Sequence, residues 1–225
     1  MPDYYAEKLS AERLKKCYTI APPRVRQYLK AEIDYVLEYV KPGDILLELG
    51  CGYGRALTYL HPQSTSIFGI DTSLESLTMV RSLESERRYF HLANMDAGAL
   101  GFLDNVFDIV LCIQNGISAI KINPKRILSE VLRVIKAKGI IMFSSYSENF
   151  WDERLKWFEL QSQEGLLGEI DYDATGDGVI VCKDGFRADT FSEDDFTKLG
   201  NKFGLDTEVE EVDNSSLFCK FYITK

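Results

Sequence analysis

The most restrictive feature of the sequence is a five-residue apolar run, Ile45-Leu46-Leu47-Glu48-Leu49, broken at once by Gly50-Cys51-Gly52-Tyr53-Gly54. A run this short, ended by glycines, predicts a buried strand rather than a helix. Four more follow: Ser66 to Ile70, Tyr89 to Ala93, Phe107 to Ile113 and Gly139 to Ser144. Helix punctuation lies between them. Thr72-Ser73-Leu74-Glu75 has capping-box spacing, with Leu74, Leu77, Val80 and Leu83 at helical intervals. Asn123-Pro124 predicts a cap and a first-turn proline before Ile127, Leu128, Val131, Leu132 and Ile135, with Lys136 and Lys138 closing that helix. Apolar strands separated by amphipathic helices require a sheet covered on both faces, which right-handed crossovers supply. The predicted class is α/β, doubly wound, with a mostly parallel sheet.

The flanking segments complete this plan. Arg24 to Val40 carries apolar residues at helical spacing between Pro22-Pro23 and Pro42-Gly43, so residues 1–40 predict a helical cap. Near the other end, Ser192-Glu193-Asp194-Asp195 caps a helix bearing Phe196, Leu199 and Phe203, closed by Gly204. Thr207 to Val212 and Leu217 to Ile223 then predict an antiparallel hairpin, bringing the sheet to seven strands with an antiparallel C-terminal edge. Residues 147–190 form an insertion rich in aromatics, among them Phe150, Trp151, Trp157, Phe158, Tyr172 and Phe186. It reads as a lid or as a helix docked on the core, since Trp151, Leu155 and Phe158 share one helical face. All 225 residues are expected to form a single domain.

Charge narrows the partners. Thirty-five acidic against 26 basic residues give a net charge of −9, which opposes attraction to phosphate backbones and anionic membranes. Neither a membrane span nor a signal peptide is indicated, so a cytoplasmic protein is expected. Five cysteines, odd in number and far apart, argue against a disulfide framework or a zinc ribbon. Asp171-Tyr172-Asp173-Ala174-Thr175-Gly176-Asp177-Gly178 copies half of a calcium loop, but its twelfth place is Cys182, so an acidic turn and no metal are expected.

The glycine loop carries the chemistry. Glycines between strand and helix let a ligand approach the backbone, and the helix start offers unpaired amides to negative charge. Glycines at 50, 52 and 54, with Arg55 next and Glu48 two places before the first, depart from G-x-G-x-x-G and make a nicotinamide dinucleotide the weaker reading. Asp71, directly after the second strand, overlooks this loop and can accept both ribose hydroxyls, or cap a helix. In Asn94-Met95-Asp96 the carboxylate can accept from an exocyclic amine while the methionine lies on a purine face; a turn with a core methionine is the structural alternative.

Together these pieces resemble the class I S-adenosylmethionine-dependent methyltransferases. The resemblance rests on Glu48 to Gly54 as motif I, Gly69-Ile70-Asp71 as the ribose position, Asn94-Met95-Asp96 as the adenine position and Phe107-Asp108-Ile109-Val110 as the fourth-strand motif. It implies that Gly50, Cys51 and Gly52 let the methionine part of the cofactor pass over the loop, with Glu48 beneath it. Asp71 and Thr72 would serve the ribose, Asn94, Met95 and Asp96 the adenine, and Gln114 the methionine end. Tyr18 and either Arg24 or Arg26 are the implied partners of the cofactor's carboxylate.

The acceptor is expected over strands four and five, beside Gln114-Asn115-Gly116 and Ser144 to Ser147, which carry no charge. Asn115, Tyr146, Tyr5 and Trp151 are the candidate acceptor contacts. The N/D-P-P-Y/F tetrapeptide of nucleic-acid amino methylases is absent after strand four, which with the acidic balance favours a small molecule or a protein side chain over nucleic acid. A methyl sulfonium needs alignment and exclusion of water more than a dedicated base, and no catalytic residue is singled out; His61 and His91 read as structural. A non-catalytic S-adenosylmethionine-binding regulator is the alternative reading.

Overall fold

A computed structural model describes residues 4–60, 66–83 and 90–223; His61, Tyr89 and the side chain of Leu83 lie outside that description. Three helices come first, α1 (Tyr4–Lys8), α2 (Ala11–Thr19) and α3 (Pro23–Leu37). Then follow β1 (Ile45–Leu49), α4 (Arg55–Leu60), β2 (Ser66–Asp71), α5 (Leu74–Leu83) and β3 (Phe90–Asn94). The chain continues through β4 (Phe107–Cys112), α6 (Gly116–Ala119), α7 (Pro124–Val134) and β5 (Ile135–Tyr146). After β5 come α8 (Trp151–Gln163), the short strands β6 (Ile180–Val181) and β7 (Arg187–Ala188), α9 (Glu193–Phe203), β8 (Asp206–Val212) and β9 (Ser216–Tyr222).

Seven strands form one sheet in the order β3-β2-β1-β4-β5-β9-β8, and β6 and β7 form a separate antiparallel pair. β1 to β5 run parallel, while β9 is antiparallel to both β5 and β8. The doubly wound sheet and its reversed edge are as the hydrophobic runs predicted. Neighbouring residues of β1 point to opposite faces, and each face has its own core. Leu47 packs with Val110, Phe143, Ile127, Val131 and Phe196 on one side. Leu46 packs with Ile109, Met142, Ile33, Val36 and Leu57 on the other. A third apolar cluster joins Leu9, Cys17 and Tyr28 to Tyr146, Trp157, Phe158 and Phe186, so the N-terminal helices and the insertion share one core.

Local details differ from the sequence reading where tertiary contacts outweigh spacing. α5 is capped by Ser73, whose hydroxyl accepts from the Ser76 amide at 3.1 Å, rather than by Thr72. Glu75 does not complete a capping box; it accepts from the Ser10 hydroxyl at 2.7 Å and ties α5 to the start of α2. Leu74 consequently faces solvent, 66% exposed, while Leu77 and Val80 are buried. α7 starts as expected, Asn123 accepting from the Lys125 amide, but ends at Val134. Ile135 already pairs with Phe107 in the sheet, and Lys136 meets Asp108 at 2.7 Å on the strand instead of closing the helix.

At α9 the predicted cap is present in full, Ser192 and Asp195 each accepting from the other's amide. All five cysteines are buried thiols. The Asp171 segment is a turn closed by the Ile170–Cys182 bridge, and among the described residues no cluster of three or more potential ligands is arranged for a metal. No described helix is long and apolar enough to cross a membrane.

Candidate active site

The loop after β1 turns on Gly50 and Gly52, at φ of 69° and 53°, a region that costs a side-chain-bearing residue about 1–2 kcal/mol. Three hydrogen bonds hold it against β2 and the start of α5. The Cys51 amide donates to the Ile70 carbonyl at 2.9 Å, and the two Asp71 carboxylate oxygens accept from the Gly52 and Ser73 amides at 2.8 and 2.7 Å. Close approach also needs Gly69 inside β2, where a Cβ would lie 2.9 Å from both Cys51 Sγ and Leu57 Cδ1.

Above the carboxyl ends of these strands lies a cavity of about 400 Å³. That is a volume typical of small-molecule sites, roughly 300–1,000 Å³. Its lining includes the glycine loop, Asp71, Thr72, Met95 and Asp96, all predicted for the cofactor. The lining also includes Tyr5 and Tyr18 from the N-terminal helices, the Tyr18 ring 5.8 Å from that of Tyr53 in the glycine loop, with Trp157, Phe158 and Gln161 from α8 and Tyr146 at the end of β5. Glu48, Gln114 and Asn115 belong to the lining as well.

Three predicted residues stand elsewhere. Asn94 is exposed and braces the strand ends, donating to the Asp71 and Thr72 carbonyls at 3.0 and 2.9 Å. Arg26 is exposed on α3 and donates to the Thr19 carbonyl at 3.1 Å, outside the cavity lining. Its alternative Arg24 is paired with Asp213 at 2.6 Å. Trp151 is outside the lining as well, packed near the guanidinium of Arg154. Asn115 lines the cavity, but its amide is occupied, donating to the Asp189 carbonyl at 2.9 Å and accepting from Ser145 Oγ at 2.8 Å.

Sequence reasoning missed Arg55. It stands at the start of α4, its guanidinium carbon 5.2 Å from the Tyr18 ring centroid. Its Nε and Nη2 are buried without a hydrogen-bond partner among the described residues, and so is Glu48 Oε2. Burial pushes the Glu48 carboxyl up to about 8, against the pull of Arg55 and helped by the charge on Asp71. Unsatisfied buried groups are costly, and here a cationic donor and a carboxyl acceptor are orphaned beside one glycine loop. A free α-amino acid end, with its ammonium and carboxylate, has the complementary pair of charges.

The cavity roof is made of two pieces joined by hydrogen bonds. Trp157 Nε1 donates to the Cys17 carbonyl at 2.9 Å, Arg13 donates to the Gly165 and Leu166 carbonyls at 2.9 Å each, and Tyr4 donates to Asp184 at 2.5 Å. His91, exposed on β3 and stacked on Phe68 at 4.5 Å between centroids, has no place in the lining.

Comparison with known proteins agrees with this geometry. The model of a methyltransferase-domain family matches residues 47–143. A malonyl-[acyl-carrier protein] O-methyltransferase from a Marinomonas species is 32% identical over 142 residues, 60% of this chain and 51% of the relative. The mRNA cap guanine-N(7) methyltransferase of Saccharomyces cerevisiae is 35% identical over 98 residues, 42% of this chain and 21% of the relative. The chain thus spans about half the length, or less, of the curated relatives it matches.

Among solved structures, a Pyrococcus horikoshii protein covers 99% of both chains at 21% identity and a TM-score of 0.68. The N-methyltransferase NodS of Bradyrhizobium japonicum, bound to S-adenosyl-L-homocysteine, covers 97% of this chain and 95% of its own at 13% identity and a TM-score of 0.65. At such identities the likeness is one of fold. The family match covers residues 47–143, from within β1 to within β5, a span that includes the glycine loop, Asp71 and Met95-Asp96.

Proposed function

We propose that the chain transfers the methyl group of S-adenosylmethionine to a small-molecule acceptor in the cytoplasm, by positioning rather than by a dedicated base. The carrying observation is the orphaned pair in the cavity, Glu48 Oε2 and the Arg55 Nε and Nη2 atoms, which match the amino-acid end of the cofactor. Asp71 and Thr72 take the ribose, and Met95 and Asp96 the adenine. When bound, the cofactor supplies a sulfonium-activated methyl group. Half-buried Tyr5 and Tyr18 with buried Tyr146 and Trp157 shield from water an apolar compartment for the acceptor beside Gln114.

Two observations support a small acceptor. The roof of N-terminal helices and insertion encloses that compartment, and the net charge of −9 opposes a phosphate backbone. The chain then works as a single domain, with residues 1–40 as cap and 147–190 as lid. Incubation with methyl-labelled cofactor and a cell extract separated into small-molecule, protein and nucleic-acid fractions tests this. Label is expected in the small-molecule fraction; label confined to a macromolecular fraction overturns the assignment.

A further inference from the structure

Arg154 is the least expected buried residue of the molecule. It is 1% exposed, and no ion pair among the described residues includes it. Nη1 and Nη2 donate to the Gly178 and Ala188 carbonyls at 2.8 and 3.0 Å, while Nε is buried without a partner. Burial lowers its pKa, yet a guanidinium starts above about 12 and stays protonated at neutral pH. Removing a charge from water without a counter-charge costs several kcal/mol, more than two carbonyl hydrogen bonds return.

The nearby acids are otherwise engaged. Asp189 pairs with Arg187 at 2.7 Å and Lys121 at 3.4 Å. Glu32, itself buried, accepts from the Ser216 hydroxyl and from the Gln114 amide at 2.7 Å. Around the Arg154 guanidinium carbon are the rings of Tyr146 at 4.3 Å and Phe158 at 5.6 Å, both of which line the cavity. The positive charge is therefore packed, away from water, against two residues of the cavity wall, where its field is weakly screened.

From this we propose that the acceptor is an organic anion, an apolar body carrying a carboxylate or phenolate, and that Arg154 supplies its counter-charge. The proposal rests on the methyltransferase reading above and names the substrate class for the same site. A cationic amine is disfavoured there, because Arg154 already occupies the π-system of Tyr146 and would repel a second cation. Tyr5, Tyr18, Trp157 and Phe158 accept the apolar body, and Arg154 selects the charge.

Three probes of one size test the proposal: phenylacetate, phenylacetamide and phenethylamine, titrated calorimetrically into the full chain saturated with S-adenosylhomocysteine. Phenylacetate is expected to bind at least about tenfold more tightly than phenylacetamide, with phenethylamine weakest. Arg154→Gln should abolish this order and Arg154→Lys should retain it. If Arg154→Gln fails to fold, the Arg154 Nε–H resonance of the labelled wild-type protein is the second readout, expected to shift with phenylacetate alone. Equal affinities, no binding of phenylacetate, or an unmoved resonance overturns the proposal. Heat with S-adenosylhomocysteine but no preference for the acid overturns this inference alone, whereas no heat with S-adenosylhomocysteine overturns the reading beneath it.

Discussion

Asp71 accepts a hydrogen bond from the Gly52 amide at 2.8 Å, fastening the end of β2 to the glycine loop that follows β1. The same carboxylate accepts from the Ser73 amide at the entry to α5. One acidic group thus holds two cavity walls in register at the position proposed for the ribose.

Asp71→Ala should therefore lower both cofactor affinity and stability, rather than affinity alone. Loss of charge-assisted hydrogen bonds of about 1.5–3 kcal/mol each predicts at least roughly tenfold weaker binding of S-adenosylhomocysteine and a lower Tm. Calorimetry and thermal unfolding check the two effects, and Asp71→Asn, which keeps one acceptor oxygen, should fall between.

Glu48 makes stability pH-dependent. Its carboxyl, held up to about 8 by burial, keeps in the folded ligand-free state a proton that the unfolded chain has released. Stability must then decrease as pH rises from the ordinary carboxylate range through about 8. Glu48→Gln should have the higher Tm above about pH 8, and the difference should vanish below about pH 4. Parallel melting curves across that range, with no divergence, would contradict this.

Arg55→Met should separate the two ends of the cofactor. Affinity for S-adenosylhomocysteine should fall by about tenfold to a hundredfold, the worth of a charge-assisted contact. Methylthioadenosine, which lacks the amino-acid end, should bind wild type and variant alike. A parallel loss for both ligands would place Arg55 in loop structure instead.

Trp157→Phe should loosen the roof. It removes the hydrogen bond to the Cys17 carbonyl while keeping an aromatic ring, and about 1 kcal/mol of stability is expected to go with it. Faster proteolysis and amide exchange within α1 and α2, with the sheet unchanged, is the expected pattern.

Gly69→Ala tests the packing of the loop on β2. The added methyl would lie 2.9 Å from Cys51 Sγ and Leu57 Cδ1, both held in the core, so a loss of about 1–3 kcal/mol is expected by chemical denaturation.

The sheet was legible in the sequence because its central strands β1, β4 and β5 are apolar on both faces and the separators carry caps and prolines. Glu48, Asp71, Met95, Asp96 and Gln114 were legible as a cavity lining because each stands at or just after the carboxyl end of a strand, where a doubly wound fold opens. Side-chain direction was not. Asn94 sits beside Met95, yet its amide folds back on the strand carbonyls, and spacing alone does not separate the two outcomes. The start of α4 marked Arg55 only as a departure from a dinucleotide pattern; that it turns into the cavity depends on Tyr18, far away in sequence.

Arg154 was hidden for a similar reason. On α8 it lies between Trp151 and Trp157, where a charged residue reads as the solvent side of an amphipathic helix. Its burial comes from the Gly178 and Ala188 carbonyls of the later insertion, a pairing no local pattern announces.

The two-piece roof has a consequence for how such a chain can diversify. With the nucleoside proposed at the ends of β1, β2 and β3, substitutions in α8 can remodel the guest chamber, whereas α2 is less free because its Tyr18 packs against Arg55. The two pieces are tied through the main chain: the indole of Trp157 donates to the Cys17 carbonyl across 140 positions of sequence, so the tie outlasts a change of side chain at Cys17 and goes only with the indole.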